Sequence, residues 1–307
     1  MSRATVPLPG IDHPLILMRD IEAGRAFYAR LGFTVTPVGR HPWGTSTALA
    51  VLERSALELM GIYDESLIDG LETGGFRFGR HMRDALAERE GMALVALHSR
   101  DVSGDGAAMA GRGIATQGRI DFRRKVKPPG LDWDEAVVSL QILLDPALPR
   151  VSHFLAQQHK PHLLWVPDWM RHANGATHVA AVTYLAEDPA PVCARLGRMF
   201  GGGPAAFAAE FPTEFPTGQG HFRVLRPADW PAAFGATPMP RLTPGEPGGA
   251  AIDVAVRDLA VARAVLAGAG VATVETAAGP AIADVAGCGN VVIRFVRACA
   301  GAAGRGA

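Results

Sequence analysis

Cysteine is scarce in this chain, charge of either sign is not in excess, and no apolar run is long enough to cross a bilayer. The three cysteines, Cys193, Cys288 and Cys299, are odd in number and not closely paired, which excludes a disulfide framework or a zinc knuckle and fits a reducing compartment. Thirty basic residues offset thirty acidic ones, so the cationic field that nucleic acid or an anionic membrane requires is missing. The opening MSRATVPLPG lacks the apolar centre of a signal peptide. No GxSxG, HExxH or Walker sequence occurs, and Gly201 to Gly203 is a glycine run without a following Lys-Ser/Thr. These absences point to a soluble cytoplasmic protein whose partner is a small molecule or a second copy of itself, a homodimer.

What is present is a repeat. The length of 307 residues suits two domains, and 48% hydrophobic content is ample for packed cores. Asp20 precedes an amphipathic segment that Gly32 closes, a spacing of 12 that reads as a helix capped by Asp and ended by glycine. The same spacing returns from Asp101 to Gly113 and from Asp258 to Gly270, and it is 13 from Asp188 to Gly201. Each Asp follows an extended apolar run: HPLILMRD, ALVALHSRD, HVAAVTYLAED and AIDVAVRD. Such regularity at a fixed context is the mark of internal duplication.

Four modules of strand, helix and three strands are therefore expected, at about 10 to 64, 91 to 160, 176 to 228 and 248 to 297. A doubly wound parallel sheet is the alternative for a strand and helix pattern. One helix for several closely spaced strands favours antiparallel pairing instead. Glu65 to Arg89 reads as a surface loop plus a helix. Residues 236 to 250, with four Pro and three Gly, read as a linker, and the tail from Ala298 reads as fraying.

The IDH opening, GRHPWGT from Gly39 to Thr45, LELMG from Leu57 to Gly61 and QHKPHLLW from Gln158 to Trp165 make the module similar to the βαβββ unit of the vicinal oxygen chelate superfamily, in its glyoxalase-like branch. The resemblance covers Ile11 to Trp169 best. It implies an α+β fold in which tandem βαβββ modules pair into two glyoxalase-like domains with curved mixed sheets, at 8 to 165 and 176 to 297. It also implies a divalent metal (Fe, Mn, Zn, Ni or Co) held by His, Glu or Gln side chains on the first and last strands of paired modules.

Carried over residue by residue, the resemblance puts His13 and Glu58 on ligand positions of the first module. Superposing Asp101 on Asp20 sets Leu94 opposite His13, so the second module's first strand offers no ligand, and its last strand offers Gln157, Gln158 or His159. Two histidines and one carboxylate would leave open positions on the ion. His13 is equally compatible with a hydrogen-bonded structural histidine.

His41, in a loop with Gly and Pro, is a candidate proton shuttle or substrate contact, or else faces solvent. Arg124, in the basic run Arg123 to Lys127, is a candidate for pairing with a substrate carboxylate, the alternative being a solvated face. Trp165 and Trp169 read as anchors of the crossing between halves, Trp165 also as a substrate contact, and His172 and Asn174 as braces of that crossing. Superposition puts Ala181 and Ala251 at the place of His13 in modules three and four, and Arg294 near that of Glu58, so the second domain is expected to be metal-free. Three functions remain open: a metal-dependent lyase, dioxygenase or epimerase acting on a small oxygenated substrate, with Glu58 or His41 moving the proton; a metal-free protein that sequesters a small, partly aromatic molecule; and a scaffold whose cavities are filled with side chains.

Overall fold

A computed structural model of the chain describes residues 8–201 and 213–298. Cys299, Gly202, Gly203 and the tail beyond Ala298 lie outside the described residues.

The repeat is set by its helices. Helix α1 (Ile21–Arg30) begins where the Asp20 carboxylate accepts hydrogen bonds from the backbone N–H groups of Glu22 and Ala23, at 3.0 and 2.9 Å. It ends at Gly32, whose φ of +89° is left-handed; the Gly32 N–H reaches Ala29 O and the Phe33 N–H reaches Tyr28 O, a Schellman closure. Helices α3 (Val102–Gly111) and α6 (Leu259–Gly268) repeat this with Asp101 and Gly113, and with Asp258 and Gly270. A cap at one end and a left-handed glycine at the other fix ten residues between them, which is why 12 recurs.

In helix α4 (Ala190–Phe200) the spacing is 13: Pro189 takes the cap position with Asp188 one residue outside it, the helix has eleven residues, and Gly201 caps it directly. Helices α2 (Phe78–Glu88) and α5 (Trp230–Phe234) stand outside the repeat.

The strands of the first half are β1 (Ile11–Leu17), β2 (Gly39–Arg40), β3 (Thr45–Val51), β4 (Ala56–Ile62), β5 (Gly91–His98), β6 (Gly118–Val126), β7 (Asp134–Leu143) and β8 (His153–Gln158). They form one sheet in the order β2-β3-β4-β1-β5-β8-β7-β6, two βαβββ units back to back about the antiparallel β1/β5 pair. The outermost strands, β2 and β6, approach each other, so the sheet curls almost into a barrel. The second half gives β9 (Ala176–Leu185), β10 (Thr213–Pro216), β11 (His221–Leu225), β12 (Gly248–Val256), β13 (Thr273–Thr276), β14 (Gly279–Ile282) and β15 (Val292–Arg297), ordered β10-β11-β9-β12-β15-β14-β13. The fold is α+β with two curved mixed sheets, as the resemblance implied. No helix among the described residues is long and apolar enough to cross a membrane.

The outer faces of the two sheets share one core. Val95 and Leu97 of β5 and Ile16 of β1 belong to the same buried cluster as Val182 of β9 and Val254 of β12, with Tyr28, Leu196 and Leu266 added by α1, α4 and α6. Gly249 of β12 lies so near β5 that a Cβ there would stand 2.4 Å from the Met92 sulfur. Residues 248 to 250 are therefore strand, and the linker expected over 236 to 250 is shorter than its glycines suggested.

Inside the trough of the first sheet, two further apolar clusters flank Glu58 along β4. Met60 joins one that includes Phe78, Met82 and Leu86 of α2, while Ala56 joins another that includes Leu163, Val166 and Trp169 of the crossing. Thus α2, expected at the surface on account of its charges, buries an apolar stripe at one end of the trough. The trough of the second sheet is filled: Trp230 and Phe234 of α5 stack at 4.1 Å over Ala251, Ala281 and Val292. There Arg294 is paired with both Asp253 oxygens, at 2.8 and 2.7 Å, under the Phe234 ring.

Candidate functional site in the trough of the first sheet

Five ionisable groups, His98, Asp12, His13, Glu58 and His41, form a chain from the rim of the first sheet into its trough. Asp12 and His13 are adjacent on β1, where the pairing with β5 shifts register between Ile11 and His13. The Asp12 carboxylate lies 2.8 Å from His13 Nδ1 and 2.9 Å from Nδ1 of His98, whose Nε2 donates to Arg54 O. On the other side of the imidazole, His13 Nε2 stands 3.0 Å from Glu58 Oε2. The second oxygen of Glu58 accepts from the Thr47 hydroxyl at 2.6 Å and lies 4.0 Å from His41 Nε2. Beyond it His41 stacks on Trp43 at 4.9 Å, with Nδ1 2.9 Å from the Thr45 hydroxyl.

All of these are buried except His98, and burial sets their charge states. Burial alone would raise Glu58, yet the hydrogen bond and charge of His13, helped by His41 and Thr47, hold it at about 2. Burial would lower His13, but the Asp12 carboxylate on one nitrogen and Glu58 on the other raise it to about 10. His41 has only Glu58 to offset burial, and Arg124 and His13 add to the fall, so it drops to about 4. At neutral pH the chamber therefore holds a carboxylate, an imidazolium and a neutral imidazole.

The space between them is small, about 50 Å3, and is walled by Leu15, Phe78, Phe122 and Phe154. A larger cleft of about 320 Å3 adjoins it at the seam between β2 and β6. Leu49, Arg124 and Leu164 line both spaces and mark their junction. Arg124 makes no hydrogen bond or ion pair among the described residues; burial pulls its pKa down and the charge of Glu58 opposes that. Gly39 makes room for it, since a Cβ there would lie 3.2 Å from Arg124 Nη1.

The structure brings His13, Glu58, His41 and Arg124 together and leaves the other candidates outside. Gln157 faces α3, its amide donating to Arg100 O and accepting from the Val102 N–H. His159, just past β8, places Nε2 2.7 Å from the Ser139 hydroxyl on the outer face. Alternation along β8 turns Phe154, Ala156 and Gln158 inward, and Gln158 is the polar side chain of that strand that reaches the chamber. Trp165 packs beside His98, 6.4 Å between ring centres, while its neighbour Leu164 lines the chamber and Trp169 the cleft. His172 and Asn174 brace the crossing, through Val51 O and Leu31 O. Asp12, His98, Thr47 and Trp43 were not among the candidate site residues; Asp12 and Trp43 lie in the IDH and GRHPWGT stretches that carried the resemblance.

The register explains why the second module contributes no carboxylate. Leu15 pairs with Glu58 across β1 and β4, and its counterpart Ala96 pairs with Phe154 across β5 and β8. Phe154 is thus the counterpart of Glu58, as Leu94 is of His13, and half of the expected ligand ring is apolar. His13 has carboxylates at both ring nitrogens, whereas a metal-bound imidazole must be neutral with one nitrogen free for the ion. Among the described residues no group of three or more His, Cys, Asp or Glu is placed to hold a metal ion. The donor set does not fit the metal that the resemblance implies.

A family model described as a glyoxalase-like domain matches residues 11–200. The chain belongs to the glyoxalase-like domain family. No curated protein matches it. Among solved structures, this glyoxalase-like protein is similar to a hypothetical protein from Staphylococcus aureus, with a TM-score of 0.65 and 10% identity over 95% of this chain and 100% of that one. A mutant 4-hydroxymandelate synthase from Streptomyces coelicolor matches with a TM-score of 0.50 and 14% identity, over 88% of this chain and 78% of the other. A fusion of a xylose isomerase-like TIM barrel with 4-hydroxyphenylpyruvate dioxygenase gives 0.50 and 12%, over 100% and 53%. At these identities the likeness extends to the fold of the glyoxalase-like protein and not to its chemistry.

Proposed function

We propose that this protein binds a small anionic molecule in the trough of its first sheet, with Arg124 as the anchor of the negative charge and no metal in the site. The observation that carries the reading is Arg124 itself, a half-buried guanidinium without a partner among the described residues, at the junction of chamber and cleft. An exposed arginine needs no partner, but one drawn into a trough is stabilised by a planar oxyanion that can accept two parallel hydrogen bonds. The groups behind it support binding over proton transfer. A general acid or base works best with a pKa near the operating pH, and Glu58, His41 and His13 lie at about 2, 4 and 10.

The reading is tested by calorimetric titration with acetate and larger carboxylates, before and after treatment with a chelator. Binding is expected to survive chelation, to vanish in Arg124→Ala and to weaken about tenfold in Arg124→Lys, which keeps the charge and loses the fork. Unchanged affinity in Arg124→Ala would remove the proposal.

One observation favours a metal-dependent enzyme instead: Asp12 backs His13 as a carboxylate backs a metal-bound imidazole, with Glu58 alongside. Elemental analysis of protein purified without added metal separates the two. Stoichiometric metal that disappears in His13→Ala and Glu58→Ala supports the enzyme.

A further inference from the structure

Resting on that reading, we infer that the ligand is an aromatic carboxylate: its acid group lies on Arg124, and its flat ring body fills the cleft between Trp133 and Trp169. The two spaces divide the ligand between them. The chamber, at about 50 Å3, admits a substituent of water-like size, since a water's share of liquid is roughly 30 Å3. The cleft, at about 320 Å3, falls in the range of small-molecule pockets, on the order of 300 to 1,000 Å3. A ligand held at the junction therefore has room for its bulk only on the cleft side.

The lining of the cleft specifies what that bulk is. Arg124, Lys125 and Lys127 border it and, among the described residues, no carboxylate does, so the charge it favours is negative. Apart from Thr36 its remaining walls are apolar, with Val38, Leu164 and Trp169 among them. Trp133, on the turn between β6 and β7, is 67% exposed yet lines the same cleft. An indole held in water on a cleft that a second indole also lines gains most from a planar partner that covers its face, which an aromatic ring provides and a saturated chain provides less well.

Calorimetric titration of the full chain with acetate, benzoate and 2-naphthoate tests this. Affinity is expected to rise about tenfold or more from acetate to 2-naphthoate, the order of gain when a ring leaves water. Trp133→Ala should remove most of that gain and leave acetate binding unchanged; being exposed, Trp133 is replaceable without loss of folding even if a Trp169 variant fails to fold. Difference fluorescence of the wild type against Trp133→Phe should show quenching of that indole by benzoate. Equal affinity for acetate and 2-naphthoate, or a gain kept in Trp133→Ala, overturns the inference while Arg124-dependent acetate binding leaves the proposed function standing. If the wild type binds none of the three, both fall.

Discussion

His13 and Glu58 face each other at 3.0 Å across the parallel strands β1 and β4, with Asp12 on the far side of the imidazole. A charge pair with this little access to water is costly to break, because the surviving partner stays buried. The pair is sheltered further by the edge of Phe154, whose ring centre lies 5.9 Å from that of His13.

Glu58→Gln should therefore destabilise the protein by about 3 kcal/mol in urea denaturation. His13→Gln should cost a similar amount by leaving Asp12 and Glu58 without their shared cation. The double variant should cost clearly less than the sum of the two, as expected for directly coupled residues. Additive losses would show that the pair contributes nothing as a pair.

Stability should peak near pH 6.5. Burial holds His41 and His81 at about 4 and His153 well below its ordinary value, so between pH 6.5 and 4 the unfolded chain takes up protons that the native one refuses. Stability then falls as the solution is acidified. His13 has the opposite sign: raised to about 10, it stabilises fully below pH 6.5, and its contribution is lost as pH rises toward 10. Melting temperature measured from pH 4 to 10 should give this arch, with the alkaline limb flattened in His13→Gln and the acid limb flattened in His81→Phe. A flat profile in the wild type would refute the charge states assigned to the trough.

Gly39 should prove to be a binding determinant without contributing to stability. A Cβ there would meet the far end of the Arg124 side chain at 3.2 Å and the Thr47 methyl at 3.3 Å, groups that can yield slightly. Gly39→Val is expected to fold with a melting temperature within a few degrees of the parent, yet to bind benzoate several-fold more weakly by displacing the guanidinium. Benzoate affinity equal to the parent's would place Arg124 elsewhere in solution.

The sequence carried the fold because the helices have a fixed length: Asp20 to Gly32 is a physical measurement of ten helical residues, and its repetition could be read without knowing any contact. Pairing the modules into two sheets was what the resemblance implied, not the repeat by itself. The site was half legible. His13 and Glu58 came from the resemblance and His41 and Arg124 from their residue chemistry, whereas the phase of β8 stayed open among Gln157, Gln158 and His159, of which Gln158 lines the chamber. A strand's alternation tells which residues share a face but not which face is inward, and polar Gln157 and His159 drew attention from Phe154, Ala156 and Gln158. The blocked second trough was illegible for a related reason, since nothing in Trp230 or Phe234 alone says where the short α5 will lie.

The apolar half of the ligand ring leads to a constructive prediction. If Leu94 and Phe154 stand where the second module's ligands would be, then restoring donors there should create what the parent lacks. Leu94→His with Phe154→Glu would add an imidazole and a carboxylate to His13 and Glu58, and the ion's charge would compete with the imidazolium at His13 for both carboxylates. Both replaced side chains are buried, 1% and 2% exposed, so the metal-free variant should melt well below the parent and recover on loading. Equilibrium dialysis against zinc should find about one ion per chain in the double variant and none retained by the parent. Retention by the parent would show that two strand ligands suffice, and the argument from register would fail with it.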